Sequence, residues 1–123
     1  MEIQKEELPS YAIQSYEPNQ LTISGKVYTQ SLLVSAQELI CPWGGHAGQV
    51  LDLNDFLQLD LSEIELIIVG QTQDYLEIPA NIRRYLFEQR IGIETMNLGA
   101  ACRTFNVLLS EDRQILGIFR LNQ

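Results

Sequence analysis

Glu65-Leu66-Ile67-Ile68-Val69-Gly70 contains an unbroken apolar run closed by glycine. A strand with one wet face alternates apolar and polar residues. A run with no polar position predicts a strand covered on both faces, as in the interior of a parallel sheet, and places it centrally. The next segments fit that frame. Pro79 falls in the first turn of a helix whose Ile82, Tyr85, Leu86 and Gln89 line one side as far as about Arg90. Gly92 ends this helix, Ile93 to Met96 reads as a short strand, Leu98 to Ser110 as a second helix, and Gln114 to Leu121 as a final strand. Strands and helices alternating across short links imply right-handed crossovers and a parallel core.

The first half follows a different pattern. Tyr11, Ile13, Leu21, Ile23, Val27 and Leu33 occur in short β-rich runs broken at Pro18-Asn19 and Ser24-Gly25, both turn-forming pairs. These predict antiparallel strands at about 11 to 17 and on either side of Ser24-Gly25, with Ser31 to Ala36 continuing the same sheet. Cys41 to Gly48 carries one proline and three glycines and reads as a loop. Asn54 to Leu59 reads as a short helix capped by Asn54 or Asp52. The fold class is therefore α/β, an antiparallel β-meander joined to a βαβαβ unit. At 123 residues there is room for one domain, 11–123, preceded by a polar, acidic arm, 1–10.

Charge narrows the partners. Eight Lys plus Arg against sixteen Asp plus Glu give a net charge of −8. Binding to a phosphate backbone draws its affinity from cationic contacts, so nucleic acid is not an expected partner, and an anionic membrane surface is disfavoured by the same sign. No apolar run approaches the roughly 18 residues that span a bilayer, so no membrane insertion is expected. The start, Met1-Glu2-Ile3-Gln4-Lys5, resembles neither a secretory signal nor a transit peptide. Cys41 and Cys102 are far apart with no CxxC spacing, which predicts two free thiols in a reducing, cytoplasmic compartment.

The most informative segment is the helix at 98 to 110. Leu98, Ala101, Cys102, Phe105, Leu108 and Leu109 share one face, and Ala100, Thr104 and Val107 make the other only weakly polar, which predicts burial nearly all round. Between these faces runs a stripe of Gly99, Arg103, Asn106 and Ser110 at helical spacing. A buried guanidinium requires acceptors. Two readings follow: a structural ion pair with Glu94, Glu111 or another acid, or a ligand carboxylate or phosphate held above Arg103 and Asn106 in space left by Gly99. Gly70 to Asp74, including Thr72, leaves the carboxyl end of the apolar strand, where open α/β sheets place ligands, but lacks a phosphate-binding glycine fingerprint. His46 is the only histidine, and a metal would need two more ligands besides it and Cys41. Trp43, between Pro42 and Gly44, reads as a lid packed on the sheet. No nucleophile elbow, zinc spacing or carboxylate pair is present, and no cofactor is implied.

Taken together, Ile23-Ser24-Gly25-Lys26-Val27-Tyr28, Pro42-Trp43, Leu66-Ile67-Ile68-Val69-Gly70, Pro79, Gly92-Ile93-Glu94, Met96, Ala100-Ala101-Cys102-Arg103-Thr104-Phe105-Asn106-Val107-Leu108 and Arg113 resemble a domain-of-unknown-function family. That family includes mitochondrial complex I assembly factor 3. The resemblance spans about residues 20 to 120. It implies a three-layer β/β/α fold and, by analogy with the mitochondrial member, a non-catalytic role in assembling a respiratory complex with partner proteins. Family members often carry Gly-Thr-Gly after the central strand where this chain has Gly70-Gln71-Thr72, and the missing leader is that of a bacterial stand-alone member. Two functions are therefore expected to compete. One is a non-catalytic cytoplasmic protein-interaction module, assisting respiratory-complex or membrane-protein assembly, with the partner's identity and self-association left open. The other is a small-anion binder or enzyme built on Gly70, Thr72, Gly99, Arg103, Asn106 and Arg113.

Overall fold

The computed structural model describes residues 11–72 and 77–122; the arm expected at 1–10 lies outside them. Strands β1 (Ile13–Glu17), β2 (Gln20–Ile23) and β3 (Lys26–Tyr28) form an antiparallel sheet. Ile23 pairs with Lys26 across Ser24-Gly25, whose φ values of 52° and 77° are the positive pair that a tight two-residue hairpin demands. Leu21 and Ile23 turn inward and are fully buried.

Among the described residues the second sheet has five strands in the order β5-β4-β8-β6-β7. These are β4 (Leu32–Val34), β5 (Leu39–Ile40), β6 (Leu66–Gln71), β7 (Gly92–Asn97) and β8 (Ile115–Arg120). β6 pairs in parallel with both β7 and β8, and β4 pairs antiparallel with β8 and β5. The α/β meander-plus-βαβαβ architecture expected from the sequence is present, with two corrections. Leu32 to Val34 leave the meander and join the larger sheet, because all three side chains are buried and only an interior strand covers both faces of such a run. The middle of the sheet is β8, with all six residues buried, and β6 lies beside it.

Helix α1 (Leu53–Leu57) is capped by Asp52, whose carboxylate accepts the Asn54 N–H at 3.0 Å. Helix α2 (Ala80–Glu88) begins one residue later than expected, with Pro79 as its N-cap, and Arg90 at φ 62° turns the chain out of it before Gly92. Helix α3 (Leu98–Ser110) has the expected bounds, with Asn97 capping Ala100 at 2.9 Å. The layers are three. On one face of the large sheet, Ile13, Leu21 and Ile23 of the small sheet join Leu98, Ala101, Cys102 and Phe105 of α3 in one core. On the other, Phe56 of α1 and Ile82 and Leu86 of α2 cover Ile67, Val69, Leu116 and Ile118.

Candidate functional site

The α3 stripe lies against β1. A Cβ on Gly99 would stand 2.5 Å from the Tyr16 hydroxyl, so the space expected there for a ligand holds a phenol ring. Arg103 is exposed, not buried, and its Nη1 reaches the Tyr16 oxygen only at 3.4 Å. Among the described residues no carboxylate, Glu94 and Glu111 included, lies in ion-pair range of it. Arg103, Val107 and Ser110 all face water, because the small sheet flanks α3 on one side only. Asn106 uses both ends of its amide on one residue: Oδ1 accepts the Ile13 N–H at 2.8 Å, and Nδ2 donates to the Ile13 carbonyl at 2.9 Å.

The remaining expected residues are spread along the large sheet. Gly70 packs against α3, where a Cβ would overlap that of Ala101. Thr72 donates from Oγ1 to Asn122 Oδ1, tying the carboxyl end of β6 to the chain leaving β8; Gln73 and Asp74 of the expected loop lie outside the described residues. Arg113 sits at the opposite end. Its Nε and Nη2 donate to the two Glu65 carboxylate oxygens at 3.1 and 3.0 Å, and Gln114 N–H adds a third bond. The Arg113 hydrogen bond, helped by that amide, holds the Glu65 carboxyl below its usual range. Six strand residues separate the ends of β6, about 20 Å at a strand's rise, so Arg113 and Thr72 do not converge.

A different arginine occupies the setting that the sequence assigns to Arg103. Arg120, at the carboxyl end of β8, is 1% exposed. Its Nε donates to the Gly45 carbonyl at 3.3 Å and its Nη1 to that of Gln49, while Nη2 meets no acceptor among the described residues. Burial pushes its pKa down, and the field of Asp55 opposes this. The Gly-rich loop folds over it, pinned by Trp43 N–H to Ser31 O at 2.8 Å and Ala47 N–H to Leu121 O at 2.9 Å. Trp43, expected as a lid on the sheet, packs on the core beneath α1 and α2, its ring at right angles to that of Phe56 with centroids 5.5 Å apart. Beside this loop opens a cavity of about 280 Å³ whose walls include Ser31, Gly45, His46, Gln49 and Asn122. The signal was present in the sequence: Arg120 is the one charge in an apolar final strand, at its carboxyl end.

Two more features bear on function. A shallow groove of about 510 Å³, lined by Arg83, Arg84, Phe87, Ile91 and Ile93, adjoins the outer edge of β7, which among the described residues pairs only with β6. Cys41 and Cys102 are unpaired thiols. Burial raises the pKa of both, that of Cys102 to about 12. Among the described residues no helix is long and apolar enough to cross a membrane.

These layers and this strand order define a class of small α/β domains, and the comparisons with known proteins agree. The chain belongs to a family of proteins of unknown function, DUF498/DUF598, whose pattern matches residues 13–120, in keeping with the resemblance read from the sequence. It is 30% identical over 103 residues to an uncharacterized protein of Rhodobacter capsulatus, covering 84% of this chain and 78% of that one. Among solved structures it is similar to a protein described as an outer membrane protein of Bartonella henselae, with a TM-score of 0.79, 26% identity and coverage of 95% and 100% of the two chains. It also shares its fold with a Mth938-like domain of Bordetella pertussis, with a TM-score of 0.73, 16% identity and coverage of 98% and 92%.

Proposed function

We propose that this chain is a non-catalytic interaction module that binds an extended, acidic and apolar segment of a partner protein along the open edge of β7 and the adjoining end of α2. The observation that carries this reading is Phe87, 81% exposed on a groove beside a free strand edge. Folded proteins blunt or cover such edges and rarely leave a large aromatic in water next to one unless something docks there. The edge supplies main-chain donors and acceptors for strand addition, and the groove takes the side chains that alternate inward. Charge selects the partner. Arg83 and Arg84 lie one turn before Phe87 and line the groove with it, so two of the eight cations of a chain with net charge −8 stand there and favour an acidic segment. A second copy fits poorly, since two-fold pairing of β7 would crowd both sets of arginines.

The resemblance to a complex I assembly factor, and the description of the Bartonella relative as an outer membrane protein, are in keeping with a partner that belongs to a membrane-protein assembly. Two unpaired thiols suit a reducing cytoplasm. The test is a photo-crosslinking residue at position 87, with a control at Val27, which is 50% exposed on the small sheet. A partner protein captured at 87 and not at 27, and lost on Phe87→Ser, is expected. Because Phe87 faces water, that substitution should change stability by no more than about 0.5 kcal/mol. Capture that survives Phe87→Ser, or capture of a second copy alone, would overturn the proposal.

A further inference from the structure

The geometry points to a small-oxyanion site at the carboxyl end of β8, in the cavity walled by Ser31, Gly45, His46 and Gln49, with the buried Arg120 guanidinium just behind Gly45. Arg120 is buried with its charge shared between two neutral carbonyls, those of Gly45 and Gln49, and with Nη2 left without an acceptor among the described residues. A cation in that state is poorly compensated, and an anion in hydrogen-bond contact is the partner that guanidinium chemistry favours. Asp55 acts on it only through its field.

Nη2 lies directly beneath Gly45. A Cβ there would stand 3.3 Å from Nη2, so the bare glycine is what brings the cavity wall within reach of the charge. The place above Gly45 is held by the Gln49 amide oxygen, which also accepts the His46 N–H at 3.1 Å. Gln49 is exposed, so its side chain can swing outward at the cost of that one hydrogen bond. An oxyanion entering behind it would take over the His46 N–H and meet Arg120 Nη2, replacing a neutral acceptor by a charged one. His46 Nδ1 faces the Ala47 carbonyl at 2.9 Å; a carbonyl only accepts, so Nδ1 carries the proton. At about 280 Å³ the cavity lies just under the range of about 300–1,000 Å³ typical of ligand pockets, which limits the ligand to a phosphate-sized anion or a compact molecule bearing one.

This site does not depend on the β7 groove. The test is a titration of the isotopically labelled protein with inorganic phosphate, then sulfate, against chloride at matched ionic strength, followed by NMR at the Gly45 and His46 amides and the Arg120 side chain. Saturable shifts confined to these groups are expected for the oxyanions and not for chloride. Gly45→Ala, which interposes a methyl group, should weaken phosphate about tenfold, the loss of one charge-assisted hydrogen bond. Gln49→Ala, which removes the neutral occupant, should tighten it, and Phe87→Ser should leave it unchanged. Shifts that do not saturate, that scatter over the surface, or that persist with equal affinity in Gly45→Ala would overturn the assignment and leave Arg120 a structural cation satisfied by water.

Discussion

Asn106 fastens the small sheet to α3 by gripping both polar groups of one residue, Ile13. Asn106→Ala should therefore cost about 1–3 kcal/mol, read as a lower denaturant midpoint at unchanged slope; an unaltered midpoint would mean that water replaces the amide freely. The thiols make a second prediction at this scale. Alkylation proceeds through the thiolate, and burial holds Cys102 protonated with a pKa near 12. Cys41 is only half-buried, its thiol donating to the Gln30 carbonyl at 3.4 Å. Mass spectrometry after alkylation near pH 8 should show one adduct, at Cys41, in the native protein and a second only after unfolding. Two native adducts, or a mass two hydrogens low, would contradict the burial pattern. Residue identity alone leads astray at the two arginines. Helical spacing puts Arg103 among apolar neighbours but does not reveal that one side of α3 lacks a covering layer. Arg120 passes for a strand-end charge because nothing local shows that the loop from Cys41 to Gln49 folds back over it.

The contact of α3 with β6 is an element-scale device. Gly70 and Ala101 let a helix and a strand approach so closely that one added methyl group has no room. Gly70→Ala should destabilise by about 1–3 kcal/mol through overpacking of two stiff backbones. Adding Ala101→Gly should recover part of the loss, less the helix penalty of about 1 kcal/mol for glycine. Thermal melts of both single variants and the double variant check this, and strict additivity would place the strain elsewhere. At the other end of the sheet, Glu65 ties β6 to the start of β8 through Arg113. Its pKa is lowered in the folded protein, so the stabilisation is fully present above the ordinary carboxyl value of about 4.3 and fades as pH falls toward the folded value. Glu65→Gln should thus be less stable than wild type near neutrality and converge with it in acid; a gap that widens as pH drops would have the wrong sign. The elements themselves were largely legible. Asn97 as cap and a long apolar stripe fix α3, and the unbroken run at 66 to 69 fixes β6. The strand at Leu32 to Val34 was recognisable, but its sheet was not, since its antiparallel partner β8 lies over 80 residues downstream and only long-range pairing decides between two available edges. The two-residue β5 was too short to carry a pattern.

At the scale of the whole molecule, the acidic balance makes the distribution of cations informative. Arg113 is committed to an ion pair and Arg120 to the interior, whereas Arg83 and Arg84 lie exposed beside Phe87, at the edge of the large sheet that is left open among the described residues. The candidate residues named from sequence spread over α3 and both ends of β6, because a stripe on one helix and a loop after one strand share a site only when the layers between them leave a gap, and here Tyr16 and Ala101 fill it. The module reading instead locates function on an edge that sequence patterning cannot see, since strand order decides which strand is left unpaired. Amide hydrogen exchange across Gly92–Asn97, in the free protein and in the complex recovered through position 87, tests that claim most directly. Strand addition predicts that amides of β7 exchange more slowly in the complex, while those of β5 at the opposite edge do not change. Equal exchange along β7 in the two states, with protection appearing on another surface, would contradict it.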